Sequence, residues 1–337
     1  MKAYLLDRYQ KNGALRLADV PQPEPGPGDI LVEIHAAGLN PLDSKIRDGA
    51  FKPILPYRPP LILGHDLAGT VVRVGDKVTH FRPGDEVYAR PRDGRIGSFA
   101  QFIAVDAADA ARKPANLSMA EAAAVPLTAL TAWQALVGQA ALKPGQKVLI
   151  HAGSGGVGTL AIQLARHLGA TVASTTGPSN LDLVKRLGAD VVINYREQAF
   201  EALLSDYDVV LNSPAGDTLV KSLAVLKPGG KLISLSGPPD PAFARRQGLN
   251  WMLRQVVGLM SFGIRRKARA AGIDYSFLFM RADGGQLAHI TSLIENGVLH
   301  PVVDRVVPFE ALNEAIAYLD TGRAKGKVVA SINSAAS

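Results

Sequence analysis

The sequence predicts an α/β protein of two domains: an irregular β-rich domain at the N-terminus, then a parallel sheet wrapped by helices. Three observations carry this. The chain has 337 residues, more than the roughly 100–200 of one typical domain. Its first third is rich in Pro, Gly and short β-prone runs. From Lys147 onward strand-like and helix-like segments alternate, as repeated βαβ units require.

In chain order, Ile30–His35, Gly69–Val74 and Glu86–Ala89 read as strands, with PQPEPGPGD and RPGDE as turns between them. Around Leu117–Val137 the texture becomes an Ala-rich helix, with Ser118 as N-cap and Glu121 as its capping-box partner. Five strands are then expected at Lys147–Ile150, Thr171–Ser174, Asp190–Ile193, Asp208–Leu211 and Lys231–Leu235. Between the first two, Val157, Leu160, Ala161, Leu164, Ala165 and Leu168 recur at helical spacing and mark one buried face. Parallel strands joined by helices imply right-handed crossovers. Tyr275–Met280 is a candidate sixth strand, Gly285–Asn296 and Phe309–Thr321 read as helices, and Lys327–Ile332 as a last strand. Asn333–Ser337 is expected to be a frayed end.

Hydrophobic residues make up 47% and charged residues 20%, a balance that excludes a disordered chain. The net charge of +7 favours acidic ligands and is compatible with nucleic acid, anionic membrane or a phosphate-bearing cofactor. Part of it is local: from Pro241 to Ala270 stand Arg245, Arg246, Arg254, Arg265, Arg266, Lys267 and Arg269, with no Asp or Glu. Cysteine is absent, which excludes disulfides and thiolate chemistry and suits a reducing compartment. The apolar stretch Ala3–Leu6 ends at Asp7 and Arg8, too short for a signal-peptide core. No run reaches the roughly 18–20 apolar residues of a membrane-spanning helix. A cytoplasmic location is expected.

The strongest local signal is KVLIHAGSGGVG, residues 147–158. Gly153-x-Gly155-x-x-Gly158 directly follows an expected strand and opens an expected helix, the context in which this pattern signifies dinucleotide binding on a Rossmann domain. The first Gly permits the turn, the second admits the pyrophosphate, and the third lets helix and strand pack closely. Free N–H groups at the helix N-terminus then face the phosphate charge. NAD-preferring folds place Asp or Glu about 20 residues on. Here Ser174, Thr175, Thr176, Gly177, Pro178, Ser179 and Asn180 stand there, with no carboxylate before Asp182. Hydroxyls and an amide suit a 2′-phosphate, with Lys185 adding charge, though Ser179 also suits a helix cap. NADP(H) is the favoured cofactor.

The chain resembles the zinc-free quinone oxidoreductase and enone (alkenal) reductase branch of the medium-chain dehydrogenase/reductase superfamily. The resemblance covers nearly the whole length. It is carried by NPLDSKIRDG (40–49), ILGHDLAGTVVRVG (62–75), FRPGDEVYA (81–89), GSFAQF (97–102), LTALTAW (127–133), HAGSGGVGTLAIQLA (151–165), RLGADVVINYRE (186–197), LAVLKPGGKLISL (223–235) and GRAKGKVV (322–329). It implies a GroES-like β-rich catalytic domain over residues 1–122, completed by 281–337, plus a Rossmann doubly wound parallel-sheet domain over 123–280. A site in the cleft between them and a homodimer are also implied. Zinc-dependent relatives carry a catalytic Cys where this chain has Asn40. Gly64-His65-Asp66 matches their Gly-His-Glu segment, so His65 survives without its thiolate partners. A catalytic zinc needs three protein ligands, and no metal is expected.

Without a Lewis acid, hydride addition to an activated C=C is easier than alcohol oxidation. The implied activity is therefore NADPH-dependent reduction of an enone, alkenal or quinone, with zinc-free carbonyl reduction or non-catalytic NADPH or RNA binding as alternatives. No RNA-recognition motif is present, so no nucleic-acid partner is expected. By position in the family pattern, Asn40, Lys45 and Tyr57 are the catalytic candidates, Tyr57 as a weak-acid donor. Asn40 and Thr128 are expected beside the nicotinamide and its ribose, and Ser154, Gly155, Gly156 and Val157 around the pyrophosphate. Thr175, Thr176, Ser179, Asn180 and Tyr195 are expected around the adenosine and 2′-phosphate, and Leu235, Ser236, Phe277 and Phe279 at the nicotinamide. Relatives often carry Lys or Arg at Ser179 or Asn180; this chain has neither. Trp251–Ala271 joins an apolar run to the basic cluster. Gly258, Ser261 and Gly263 are expected to break a helix there, which favours a cleft cover or dimer contact over a lipid-surface helix.

Overall fold

The computed structural model describes residues 1–52, 55 and 57–333; the end expected to fray beyond Asn333 lies outside these. In chain order the strands are β1 (Lys2–Leu6), β2 (Arg16–Asp19), β3 (Asp29–Leu39), β4 (Leu61–Ile62), β5 (Asp66–Val74), β6 (Glu86–Ala89), β7 (Phe102–Asp106) and β8 (Ala110–Arg112). There follow β9 (Lys147–Ile150), β10 (Thr171–Thr176), β11 (Val191–Asn194), β12 (Tyr207–Asn212), β13 (Leu226–Ser234) and β14 (Asp274–Phe277), and finally β15 (Val303–Pro308) and β16 (Lys327–Ser331). The chain divides into two compact units, Met1–Leu130 with Arg281–Ser337, and Thr131–Met280.

In the first unit a mainly antiparallel sheet runs in the order β15-β16-β3-β5-β6-β8, with β7 also on β3, beside a small sheet β2-β1-β4. The long strand β3 is almost wholly buried. Ile30, Val32 and Ile34 pack with Leu67, Val71, Val87 and Val105 in the core. The helix Pro41–Arg47 leaves the end of β3 with Pro at its start and Asn40 as N-cap, the Asp43 side chain bonding the Asn40 N–H. Gly64 has φ +106°, and a Cβ there would meet Ser98 Oγ at 2.3 Å, so only glycine can lead the chain into His65.

The second unit is one parallel sheet in the order β11-β10-β9-β12-β13-β14, the doubly wound dinucleotide-binding order in which the strand sequence reverses beside β9. Its core joins Leu149, Ala173, Ile193, Val210 and Leu232. The helix expected between the first two strands is Gly156–His167, buried along Leu160, Ala161, Leu164 and Ala165.

Three expectations need correction. The Ala-rich segment is not one helix: Met119–Ala123 carries the Ser118/Glu121 capping box but stops before Pro126, which starts a new helix to Trp133, followed by a π-helical turn Gln134–Gln139. Proline cannot continue a helix but suits its first turn. The sixth strand ends at Phe277, not Met280. The basic stretch forms helices Trp251–Met260 and Phe262–Ala270, so Gly258 and Gly263 are helical and only Ser261 marks the break.

Candidate nucleotide site and a buried polar network

The turn after β9 is built by packing. Ala152 adopts φ +54°. A Cβ on Gly153 would lie 2.1 Å from Ser174 Oγ, and one on Gly158 2.3 Å from the Ala152 carbonyl. These two glycines are demanded by the fold itself. Gly155 differs: a Cβ there meets only the Ala152 carbonyl at 3.3 Å and otherwise points into open space. The helix then begins at Gly156 with residues 154–157 half-exposed, and the first N–H groups of a helix have no partner within it. A concave, anion-favouring backbone with room above the middle glycine fits a diphosphate.

The end of β10 closes this turn. Thr176 Oγ1 and Asn180 Nδ2 both donate to Ser154 Oγ, at 3.0 and 3.1 Å, while Asn180 Oδ1 is buried without a partner. Asn180, not Ser179, is the N-cap of the helix Leu181–Arg186, so Ser179 is no helix cap. Thr175 Oγ1 accepts from the Ala152 N–H and contacts His151 Nδ1 at 3.0 Å. His151 Nε2 lies 3.0 Å from Ser222 Oγ. Alongside lies a cavity of about 670 Å³ whose lining includes His151, Thr175, Tyr195, Arg196, Pro214 and Lys221. Tyr195 is exposed, its ring over Gly177.

Burial pushes the His151 imidazole down to about 4. The unfolded chain therefore takes up this proton first as pH falls. The contribution to stability is complete above about pH 6.5 and is lost towards pH 4, about 3 kcal/mol in all. Denaturation across this range should show a pH dependence smaller by that amount in His151→Asn; an unchanged slope would contradict it.

The first unit holds a second polar group, fully buried. Lys327 Nζ donates to Asn40 Oδ1 at 2.5 Å and Asp66 Oδ2 at 2.8 Å. Asn40 Nδ2 also donates to Asp66 Oδ2, at 2.9 Å, and the Leu127 N–H to Asp66 Oδ1 at 2.7 Å. Asp43 Oδ1 contacts His65 Nδ1 at 2.6 Å, leaving His65 Nε2 buried without a partner. Tyr57 belongs to the same unit. Its hydroxyl accepts from the Gly94 N–H at 3.1 Å, and burial pushes it up to about 12. Arg90 is buried, donating to Asp93 at 2.6 Å, with its Nε unpartnered.

Residues 26–115 match the alcohol dehydrogenase GroES-like domain family, and residues 187–329 the zinc-binding dehydrogenase family. The chain is 37% identical to a 2-methylene-furan-3-one reductase of Solanum lycopersicum, over 98% of this chain and 78% of that protein. It is 33% identical to the mitochondrial NAD(P)H oxidoreductase RTN4IP1 of Danio rerio, over 98% and 91%. Among solved structures, the quinone oxidoreductase of Coxiella burnetii superposes with TM-score 0.86 at 30% identity, over 99% of both chains.

The chain belongs to the quinone oxidoreductase and enone reductase branch of the medium-chain dehydrogenase/reductase superfamily. It is an oxidoreductase with a nicotinamide cofactor. Among the described residues no helix is long and apolar enough to cross a membrane.

Ser154, Gly155, Gly156, Val157, Thr175, Thr176 and Asn180 meet at one turn, with Tyr195 across the adjoining cavity. Ser236 Oγ donates to the Pro214 carbonyl at 2.7 Å, and the Leu235 N–H to the Asn212 carbonyl at 2.9 Å. Phe277 and Phe279 both pack edge-on against Phe243, at 5.2 and 5.7 Å. In the first unit Thr128 Oγ1 donates back to the Ala124 and Val125 carbonyls, and Lys45 is exposed on the helix after Asn40. Asp43, Asp66, Arg90 and Lys327 received no role from the sequence. The Asp66–Lys327 pair joins residues 261 positions apart, beyond the reach of any local pattern.

Proposed function

We propose that this oxidoreductase uses NADPH to reduce an activated C=C of an α,β-unsaturated carbonyl, or a quinone, without zinc. The observation that carries it is the open space over Gly155, flanked by glycines that the fold itself requires. Relatives named as a furanone reductase, an NADPH-dependent alkenal/one oxidoreductase and quinone oxidoreductases support the substrate class.

NADPH, when bound, supplies the hydride. The chain's own residues bind, orient and protonate. The Gly155–Val157 backbone and Ser154 hold the diphosphate, while Thr175, Thr176, Ser179 and Asn180 border the ribose. Arg196 brings the charge that positions 179 and 180 lack. Thr128, Leu235, Ser236, Phe277 and Phe279 are assigned to orient the nicotinamide, while the buried Asn40 amide is held by Lys327 and Asp66. Hydride addition to the β-carbon would place negative charge on the carbonyl oxygen, and one proton would have to follow. Tyr57 is assigned to that step: its oxygen accepts from the Gly94 N–H, leaving its own hydrogen to donate. Lys45 is the other donor.

Zinc does not fit the residues present. No cysteine exists, and Asp66 and Asn40 already hold the Lys327 ammonium. A dication there would face that positive charge. A homodimer and a cytoplasmic location complete the reading: β14 is an edge strand whose open side a second copy can extend.

Consumption of NADPH with an enone, an alkenal and a quinone, followed by product identification, tests the proposal. A saturated ketone is expected from the enone. An allylic alcohol would overturn C=C reduction in favour of carbonyl chemistry, and no turnover with any substrate would favour a binding protein. Arg196→Glu should raise KM for NADPH roughly 10-fold or more while leaving NADH unchanged. Equal effects on both would remove Arg196 from the 2′-phosphate. Tyr57→Phe should lower kcat roughly 100-fold with the NADPH Kd unaltered. Wild-type kcat would leave Lys45 or water as donor.

A further inference from the structure

The helix Trp251–Met260 is inverted relative to an ordinary surface helix. Its large apolar side chains point outward: Trp251, Met252, Val256, Leu259 and Met260 are exposed, Leu259 at 80% and Trp251 at 72%. Met252, Val256, Leu259 and Met260 recur at spacings of four, three and one, a single stripe along the helix. Phe262, at the head of the following helix, extends it, also exposed. Only Val257 of the first helix is buried, and it anchors the element.

Positive charge surrounds the stripe on both sides in sequence. Arg245 and Arg246 end the preceding helix Pro241–Arg246, and Arg254 stands within the apolar helix. Arg265, Arg266, Lys267 and Arg269 follow on Phe262–Ala270. Among the described residues none of these pairs with a carboxylate, and Pro241–Ala270 holds none. Gly258 and Gly263 lie within helices, Ser261 alone separates the two, and basic residues stand on both sides of the apolar helix.

We propose that this face docks the protein on anionic lipid bilayers, the apolar stripe entering the headgroup–acyl boundary and the basic residues contacting lipid phosphates. Exposed Trp, Phe, Met and Leu near Arg and Lys that lack carboxylate partners match what such an interface binds. A second copy fits poorly, because a two-fold contact sets the same patch against itself and converges basic clusters with no acid between them. RNA would account for the charge but not for the aliphatic stripe. The assignment is independent of the proposed substrate.

The test is sedimentation of the full chain with phosphatidylcholine vesicles, with and without phosphatidylserine, alongside Trp251 fluorescence. Binding to the anionic vesicles should exceed binding to neutral ones at least ~10-fold, fall in high salt, and shift the emission to shorter wavelength. Met252→Glu/Leu259→Glu should abolish it while the circular dichroism and Tm stay as in wild type, since both side chains are exposed. Arg265→Gln/Arg266→Gln/Lys267→Gln should weaken binding to anionic vesicles alone. Protein that stays in the supernatant with anionic vesicles overturns the proposal. So does a concentration-dependent dimer that Leu259→Glu dissociates, or binding to RNA but not to vesicles.

Discussion

Gly155→Val should abolish NADPH binding while leaving the protein folded. Gly155 has φ −82°, a conformation any residue adopts, and the space beyond its Cα is open except for one carbonyl at 3.3 Å. A valine there fills the volume proposed for the diphosphate and asks the Ala152 carbonyl to give by only a few tenths of an ångström. Binding should weaken about 100-fold or more, roughly 3 kcal/mol, with Tm moving by no more than about 2 °C. The neighbouring glycines supply the contrast. Gly158→Val drives its Cβ into the Ala152 carbonyl at 2.3 Å, and overpacking of that kind costs about 1–3 kcal/mol or more of stability. Calorimetric titration and thermal unfolding of both variants separate the two roles. Wild-type affinity in Gly155→Val would place the cofactor elsewhere.

The second large effect is on stability. Lys327→Met should destabilise the protein by about 3–5 kcal/mol, because it strands the Asp66 carboxylate, 0% exposed, without its ammonium. The Leu127 N–H and the Asn40 amide remain as partners but supply no opposite charge. Asp66→Asn/Lys327→Met removes both charges together and should recover most of the loss. Denaturant unfolding of the single and double variants gives the coupling. A single variant within about 1 kcal/mol of wild type would mean that the pair is not essential to the fold.

What the sequence made legible was what local rules govern. The period of the helix after β9, the glycine turn and the Ser118 capping box depend on neighbours within a few residues, and they stand where expected. Their limits show where such rules stop. Pro126 interrupts an Ala-rich run whose composition favours helix throughout, and β14 ends at Phe277 although Leu278 and Met280 are also apolar. β1 and β2 pair with each other across a separation that no local pattern signals.

The site divides in the same way. Asn180 is visible as a polar residue after β10, yet only the fold shows its amide tied to Ser154. Asn40 could be singled out from its motif, but its partners, Asp66 and Lys327, are set by the pairing of β16 with β3 and of β3 with β5. The outward apolar stripe of Trp251–Met260 was likewise hidden, since periodicity reports that a face is apolar and not which way it points.

Direct titration of the purified chain with NADPH and with NADH bears most closely on the central claim. Saturable binding is expected, tighter for NADPH and lost in Gly155→Val. Heat and fluorescence traces that stay flat with both coenzymes would contradict the account.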